Sequence, residues 1–360
     1  MIDVLIDSGN APPHSGIGTY HAGLVNALKY YGQLEVTIKE STITSISKKQ
    51  RSIRRLNYLL KLNRLSRQGF GNAEIVHFTN VYVPKDIEKI PFVGTVHDID
   101  ALIHPSTYSP IYRLYFKHIV EATFKRAQII LTVSEAVKNS ILNKYDLPEN
   151  KIRPIGIGLS ENFVDVANAT ESILPSEIPT LLFVGSLSVK KNTGWLIKNI
   201  VKGVKSGAIP HLKLILAGGA GFGFESIAQE IKGAGDIVNW VRNPNVNELV
   251  KLYKQSTIFV FPSRTEGFGI PLIEAMYCKK PIVASRIPSS VEVASTAAYF
   301  FELDDVESFY YTIKRALEDR NYDLRNKTAA EQLEKYSWNN LVPLYIAAYK
   351  KAIWNHQKIK

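Results

Sequence analysis

The chain has 360 residues and a formal net charge of +11 at pH 7. That length suits two domains of about 150 residues better than a single core. The single cysteine, Cys278, excludes an intrachain disulfide and fits a reducing compartment, and the lack of any apolar run of about 18 residues excludes a membrane-spanning helix.

The positive charge indicates an anionic partner: nucleic acid, a phosphate-bearing ligand or a membrane surface. The alternative is a surface that only keeps the protein soluble. The first residues, MIDVLIDSG, predict a strand and not a secretion signal, because Asp3 and Asp7 interrupt the apolar run. We therefore expect a cytoplasmic protein, with peripheral attachment to the inner face of the plasma membrane left open.

Short apolar runs alternate with longer amphipathic runs along the chain. A first series predicts helices near 18–30, 109–127 and 135–145 and strands at 4–6, 75–78, 92–96, 129–133 and 152–157. A second series predicts strands at 181–184, 212–216, 237–241, 258–261, 282–284 and 299–301. This alternation is typical of parallel sheets covered by helices, so we predict an α/β protein with two Rossmann-like, doubly wound domains.

The segment 160–179 predicts the domain boundary, since it is polar, lacks periodicity and contains Pro175 and Pro179. We place the N-terminal domain at 1–170 and the C-terminal domain at 177–342. A long aromatic helix is predicted from about Trp338 to Lys358. We expect its part from about 343 to 360 to pack back on the N-terminal domain.

The stretch SRTEGFGIPLIEAM, residues 263–276, follows an apolar strand and leads into a helix that begins near Pro271. In doubly wound sheets, such a loop at the carboxyl end of a strand is where ligands bind. Gly267 and Gly269 allow backbone amides to approach a ligand, and the helix start favours an anion such as a phosphate.

Two carboxylates bracket this loop. Glu266 beside a phosphate site suits hydrogen bonds from sugar hydroxyls, whereas Glu274, about one turn into the helix, suits ribose hydroxyls. The alternative is an ordinary strand–turn–helix with surface glutamates.

The stretch FVGSLSVKKN, residues 183–192, offers cations at the same sheet edge. Gly185 and Ser186 follow the first strand of the second domain, and Lys190 and Lys191 come next. Ammonium groups there would attract an anionic ligand such as a phosphate. A lysine pair by itself is more often solvated surface.

Two motifs of the N-terminal domain are less specific. SGIGTY, residues 15–20, suggests dinucleotide binding but has His21 where the third glycine of G-x-G-x-x-G would stand. A flexible helix N-terminus is the alternative. In GTVHDID, residues 94–100, His97 ends an apolar strand, where a neutral histidine can donate or accept a hydrogen bond to a ligand. A satisfied core histidine is the alternative there.

The run E-G-F-G-I-P-L-I-E-A-M resembles the E-x7-E signature of the retaining glycosyltransferases of family four, which have the GT-B fold. The resemblance implies two Rossmann-like domains with the active site in the cleft between them. It also implies metal-independent transfer of a sugar from a nucleotide-diphospho-sugar donor to a glycan or lipid-linked acceptor. Such enzymes act in bacterial cell-surface polysaccharide or lipopolysaccharide biosynthesis.

The resemblance also implies roles for particular residues. Glu266 would contact the donor sugar and Glu274 the ribose, while His97 would lie near the donor sugar and the acceptor. Lys191 matches the family lysine, whose ammonium would stabilise the diphosphate leaving group as negative charge develops. Lys190 would replace an arginine whose position holds Ser186. The diphosphate would be held by two backbone segments, namely Gly16, Ile17 and Gly18, and Gly267, Phe268, Gly269 and Ile270.

We expect neither a metal nor a cofactor. Asp98 and Asp100 spell D-x-D, the metal motif of another glycosyltransferase fold, but their sheet context differs. Lysines and a helix start can supply the charge that a metal would supply. The segments 216–219 and 237–253 correspond to those that flank the nucleobase in the family. The glycine common in the second segment is Val241 or Arg242 here, so the base stays unassigned.

The segment 48–67 carries eight basic residues and no acid. Ile53, Leu56 and Leu60 share a helical face that Arg64 and Arg67 interrupt, so both a solvated surface and an anionic membrane surface fit. In the family that this chain resembles, members that build lipid-linked glycans often dock such a helix on anionic lipid, which favours the membrane interpretation.

Two other functions remain as alternatives. One is another GT-B enzyme, such as a nucleotide-sugar epimerase. The other is a nucleic-acid-binding protein, which would interleave aromatic with basic residues, but the segment 48–67 has Tyr58 as its one aromatic residue. We therefore expect no nucleic-acid partner.

Overall fold

The computed structural model describes residues 1–8, 11–12, 15–41, 51–81, 83–84, 87, 89–104, 108–171, 177–319 and 322–358, with the backbone alone at 51–57, 59 and 322–323. The chain divides into two compact units. One comprises Met1–Ser160 and Tyr336–Lys360, and the other comprises Glu161–Lys335.

The described part of the first unit contains a six-stranded parallel sheet in the order β2-β1-β3-β4-β5-β6. Its strands are β1 (Ile2–Asp7), β2 (Val36–Glu40), β3 (Ile75–Phe78), β4 (Phe92–Val96), β5 (Ile129–Thr132) and β6 (Ile152–Pro154). Its helices up to residue 160 are α1 (Gly16–Tyr31), α2 (Arg51–Gln68), α3 (Asp100–Ile103), α4 (Pro110–Arg126) and α5 (Glu135–Leu142). β3, β4 and β5 are buried at every residue, which explains their continuous apolar sequences.

The second unit also forms, within its described residues, a six-stranded parallel sheet, in the order β12-β11-β10-β7-β8-β9. The strands are β7 (Thr180–Val184), β8 (Lys213–Ala217), β9 (Val238–Val241), β10 (Ile258–Phe261), β11 (Ile282–Ser285) and β12 (Ala298–Phe301). The helices are α6 (Glu161–Ala169), α7 (Thr193–Lys205), α8 (Phe224–Gly233), α9 (Val246–Gln255), α10 (Ile270–Tyr277), α11 (Pro288–Ala294), α12 (Val306–Glu318) and α13 (Tyr322–Lys335). The predicted doubly wound α/β class is thereby confirmed.

The last helix, α14 (Trp338–Gln357), returns to the first unit and packs against α1, β3, β4 and β5. The return begins at Tyr336, not near 343 as expected. Trp338 explains the earlier start, because its indole Nε1–H donates to the carbonyl of Leu159 at 2.7 Å and its ring packs on Gly158.

The boundary between the units also differs from the predicted one. Residues 161–170, assigned to the first domain, belong to the second unit, because α6 packs on α9. In that contact the ring of Phe163 meets the ring of Tyr253 edge-on, with centroids 6.0 Å apart. The polar segment 160–179 contains this amphipathic helix, which a purely compositional criterion does not reveal.

Of the basic segment 48–67, residues 48–50 lie outside the described residues and the remainder belongs to α2. Tyr58, Leu62 and Ser66 form the buried face of this helix, and Leu60 is 59% exposed. Among the helices of the described residues, none is long and apolar enough to cross a membrane.

Candidate active site

The order of strands in the second unit brings two loops together at one edge of the sheet. β7 and β10 are neighbours, although β8 and β9 separate them in the chain. The order therefore reverses between β7 and β10, and ligands of doubly wound sheets bind at this switch point. The loops join directly, because the backbone N–H of Arg264 donates to the carbonyl of Lys190 at 3.0 Å.

Lys191 and Glu266 form an ion pair where these two loops meet. The Lys191 ammonium donates to Oε1 of Glu266, and the hydroxyl of Ser263 donates to the same oxygen at 2.6 Å. Both charged side chains are largely covered, with 18% of the lysine and 8% of the glutamate exposed. The structure thus brings together the predicted leaving-group cation and the predicted sugar-binding carboxylate.

The loop after β7 also packs against the loop after β8. The N–H of Leu187 donates to the carbonyl of Gly219 at 2.8 Å. A Cβ at Gly218 would lie 2.0 Å from the carbonyl oxygen of Gly185, and the φ of Gly218 is +146°. A residue with a side chain would force the two backbones apart, so glycine is required here.

The glycine loop after β10 ends at the N-terminus of α10. Gly269 is the N-cap in a left-handed conformation, with φ of +103°, and Ile270 is the first helical residue. Phe268 is 3% exposed and can offer a ligand little beyond its backbone. The first turn of α10 has no acidic residue, so the helix dipole places a partial positive charge there that suits an anion.

Glu274 lies further along α10 and binds a buried tyrosine. The hydroxyl of Tyr253 donates to Oε2 of Glu274 at 2.9 Å. Burial raises the pKa of the Glu274 carboxyl and outweighs the hydrogen bond from Tyr253, which lowers it. The resulting pKa is about 7. Near neutral pH, the carboxyl therefore exists in both protonation states, and only the carboxylate accepts strongly from ribose hydroxyls.

Ser186 and Lys190 differ from Lys191 in their surroundings. Ser186 is exposed, and Lys190 is partly exposed and contributes its carbonyl to the contact with Arg264. The segments predicted to flank the nucleobase meet nearby. The indole Nε1–H of Trp240 donates to the carbonyl of Gly218 at 2.9 Å, and the Arg242 guanidinium lies over the Trp240 ring at 4.1 Å.

In the first unit, Gly16, Ile17 and Gly18 form the first turn of α1 and not a loop before it. Ser15 is the N-cap, and its hydroxyl accepts from the N–H of Gly18 at 3.1 Å. This cap explains why the helix begins earlier than predicted. Gly16 is exposed, and the first turn of α1 contains no acidic residue, so an anion can approach its amides.

His97 lies directly after β4, as predicted, and its ring is held from two sides. Its Nε2–H donates to the carbonyl of Thr79 at 2.8 Å, and its ring meets the ring of Tyr20 edge-to-face at 4.9 Å. Thr79 follows β3, and its N–H donates to the carbonyl of Asp7 at the end of β1. The order of strands reverses between β1 and β3, so these groups lie at the switch point of the first sheet.

The D-x-D sequence is part of a local turn. Oδ1 of Asp98 accepts the N–H of Asp100 at 3.2 Å, at the start of α3. Throughout the described residues, no group of three or more histidine, cysteine, aspartate or glutamate side chains is arranged to hold a metal ion. Metal-independent catalysis stays a prediction.

Sequence reasoning missed Ser263, Tyr253 and Thr79, which hold the predicted Glu266, Glu274 and His97. Ser263 had a detectable signal, since it stands at the end of a strand three residues before a candidate carboxylate. Tyr253 is separated from Glu274 by 21 residues and lies on another helix, so no local pattern indicates it.

Comparison with known families agrees with this architecture. Residues 20–162 match the model described as Glycosyltransferase Family 4, and residues 168–333 match the model described as Glycosyl transferases group 1. The two matches together extend over most of both units. The chain belongs to the family four, or group 1, glycosyltransferases and has the GT-B fold.

The chain is similar to the O-antigen chain mannosyltransferase B of Escherichia coli, with 27% identity over 77% of this chain and 74% of that protein. It is also similar to the O-antigen chain mannosyltransferase RfbU of Salmonella typhimurium, with 31% identity over 68% of this chain and 65% of that protein. Among solved structures, Anabaena Alr3699/HepE in complex with UDP-glucose has a TM-score of 0.72 at 16% identity, covering 98% and 100% of the two chains.

Proposed function

We propose that this glycosyltransferase moves a sugar, with retention of configuration, from a nucleotide-diphospho-sugar to a glycan or lipid-linked acceptor. The observation that carries the proposal is the Lys191–Glu266 ion pair at the switch point of the second sheet. A cation for the diphosphate and a carboxylate for the sugar are needed at adjacent positions of one ligand. This pair supplies both groups next to the start of α10.

Lys191 acts on the leaving group in this proposal. Negative charge on the diphosphate grows as the bond between it and the sugar breaks, so a fixed ammonium stabilises the transition state more than the bound donor. The amides of Gly267, Phe268, Gly269 and Ile270 assist, as does Lys190. These charges supply the electrostatic stabilisation without a metal ion.

Glu266 holds the donor sugar, and Glu274 holds the ribose. Their separation along the chain supports this division, because Glu266 precedes α10 and Glu274 lies about one turn inside it. Ser263 keeps Oε1 of Glu266 fixed, which orients the other carboxylate oxygen for a sugar hydroxyl. Tyr253 does the same for Glu274 through Oε2.

The first unit supplies His97 and the first turn of α1. His97 binds a hydroxyl of the donor sugar or orients the acceptor, and the amides of Gly16 and Ile17 bind the diphosphate, while Gly18 closes the cap with Ser15. In front-face transfer, the acceptor oxygen attacks the anomeric carbon on the side that the diphosphate leaves, and its proton passes to the departing phosphate oxygen. That geometry retains configuration without a protein nucleophile.

The relatives support a place in cell-surface polysaccharide or lipopolysaccharide synthesis, since two of them are named as O-antigen chain mannosyltransferases. A mannosyl nucleotide is therefore the first donor to test. UDP-glucose is the second, because it is the ligand named for the Anabaena structure.

A lipid-linked acceptor suggests work at a membrane surface. We propose α2 as the contact, since its described basic side chains, Lys61, Arg64 and Arg67, are exposed. Basic residues close to an anionic bilayer attract it over about a Debye length.

The test of the function is a binding screen followed by product analysis. We expect one of GDP, UDP or dTDP to raise the melting temperature, with roughly 2.7 kcal/mol of added stability at a hundredfold excess over its dissociation constant. The matching sugar nucleotide should then release nucleoside diphosphate slowly in water and faster with an acceptor glycan. No stabilisation by any nucleoside diphosphate, together with no donor consumption, would refute the proposal.

The products of the same reaction distinguish the proposed glycosyltransferase from the two alternative functions. An epimerase would return a sugar of altered configuration still attached to the nucleotide, which NMR of the products detects. A nucleic-acid-binding protein would retard labelled oligonucleotides and consume no sugar nucleotide.

A further inference from the structure

A connected set of buried hydroxyl and imidazole groups joins α14 to α1, β3 and β4 in the first unit. Its members are His77, Thr95, Tyr20, Tyr345 and Tyr349, and each is at most 1% exposed. Burial of so many polar side chains is costly unless every group finds a hydrogen-bonding partner. Their arrangement satisfies that condition.

The contacts run in one line. His77 lies 2.8 Å from the Tyr349 hydroxyl through Nδ1 and 2.8 Å from Oγ1 of Thr95 through Nε2. The same Oγ1 lies 3.1 Å from the hydroxyl of Tyr20, which in turn accepts from the hydroxyl of Tyr345 at 3.1 Å.

Tyr345 has a single hydroxyl proton and two acceptors within reach, the hydroxyl of Tyr20 at 3.1 Å and the carbonyl of Gly156 at 3.2 Å. The contacts Tyr20–Thr95, Thr95–His77 and His77–Tyr349 fit either direction of donation, since each joins two groups that can both donate and accept. Burial lowers the pKa of His77 to about 3, so the ring is neutral, with one donor and one acceptor.

The line ends at the proposed acceptor-side histidine. The ring of Tyr20 meets that of His97 at 4.9 Å, with an interplanar angle of 82°. Thr95 lies on β4 two residues before His97, and His77 lies on β3 two residues before Thr79, with His97 and Thr79 just beyond the strand ends. Two members of the hydrogen-bonded line, Thr95 and His77, therefore lie next to the strand ends that carry His97 and Thr79.

We propose that Tyr20 is a positioning residue for His97 and that α14 fixes Tyr20 through Tyr345, Thr95, His77 and Tyr349. The inference rests on the proposed role of His97 in sugar transfer. The Tyr20 hydroxyl has hydrogen bonds on two sides, so its ring cannot tilt, and the ring edge holds the imidazole. Small displacements of a reacting group are costly in rate, which gives this support its value.

The test is Tyr20→Phe, which removes the hydroxyl and keeps the ring. We expect kcat to fall about tenfold or more, with a change in donor KM of less than about twofold, because His97 is displaced while the donor-binding groups of the second unit are untouched. The matched control is Tyr310→Phe. Tyr310 is a buried tyrosine whose hydroxyl donates to the carbonyl of Asn199 at 2.7 Å in the second unit, and its replacement should change neither constant.

A second measurement reads the imidazoles directly. In protein labelled with ¹⁵N-histidine, the signals of His97 should shift in Tyr20→Phe but not in Tyr310→Phe. Unchanged His97 signals and unchanged kcat in a folded Tyr20→Phe variant would overturn the positioning role.

These readouts separate the inference from the proposed function. If the wild type transfers no sugar, the proposed function fails, and the ¹⁵N spectra still decide whether Tyr20 positions His97. If the wild type is active and Tyr20→Phe matches it in kcat and spectrum, the inference fails and the function stands.

Discussion

Lys191 and Glu266 are 75 residues apart in the chain, yet they form an ion pair between the loops that follow β7 and β10. Neither loop could hold its charged side chain in a covered position without the other, because an unpaired charge there would be costly. In the protein without donor, each group thus keeps the other in place. In the proposed reaction, the donor places phosphate charge beside the lysine and sugar hydroxyls beside the carboxylate.

Lys191→Ala should lower turnover at saturating donor by at least about a hundredfold, an assumed loss of roughly 2.7 kcal/mol at the barrier. Donor affinity should fall much less, since the charge acts mainly as the diphosphate departs. Steady-state kinetics with a donor titration measures both. Lys190→Ala is the control and should be milder if Lys190 only compensates for Ser186. EDTA should change neither result, and near-normal turnover of Lys191→Ala would leave Lys191 as a binding residue only.

Glu274→Ala should weaken the binding of the sugar nucleotide by about ten- to a hundredfold, because a hydrogen bond to a charged group contributes about 1.5–3 kcal/mol. Calorimetric titration of the folded variant measures the change. Unchanged affinity would reject Glu274 as the ribose acceptor.

The affinity for the sugar nucleotide should rise with pH through about 7, the pKa of Glu274, as the carboxylate forms. The diphosphate of an intact sugar nucleotide is esterified at both ends, so its charge stays constant over this range. Tyr253→Phe removes the hydrogen bond that lowers the pKa, so the midpoint should move to higher pH. Affinity lost at pH 7 should then return at higher pH. Tyr310→Phe controls for the loss of a buried hydroxyl, and a midpoint unmoved by Tyr253→Phe contradicts the assignment.

Gly218→Ala should destabilise the second unit by about 3 kcal/mol or more and abolish nucleotide binding, because the new Cβ would meet the backbone of Gly185 at 2.0 Å. Urea unfolding monitors the stability. Gly207→Ala is the matched control, since Gly207 also has positive φ, at +72°, but open space around it. Its cost should be about 1–2 kcal/mol, from the backbone conformation alone. Equal costs at the two sites would show that the close approach is unimportant.

Charge reversal of Arg51, Arg54 and Arg55 should release the protein from anionic vesicles, because each basic residue near such a surface contributes about 1 kcal/mol. Sedimentation with vesicles containing phosphatidylserine measures this. Reversal of Lys198, Lys202 and Lys205, which are exposed on α7, makes the same change in net charge and should have little effect. Equal sedimentation of wild type and the α2 variant would exclude α2 as the membrane contact.

The amino-acid sequence determined the fold class and the location of the site along the chain. Alternating short apolar and longer amphipathic runs are sufficient to predict parallel sheets, and glycine and proline mark the turns at strand ends. The sequence did not predict the strand β2, because this strand is partly exposed and carries Lys39 and Glu40, so its apolar pattern is weak. The sequence did not predict helix α6 either, because the segment around it is polar and contains prolines.

Only the tertiary structure decided which groups hold the candidate residues. The pairing of Lys191 with Glu266, the hydroxyl of Tyr253 on Glu274 and the ring of Tyr20 on His97 each join elements distant in sequence. Periodicity and turn residues report local backbone preferences, whereas these contacts depend on the order of strands in each sheet. The protonation of Glu274 likewise depends on burial, which arises when α9 and α10 come together.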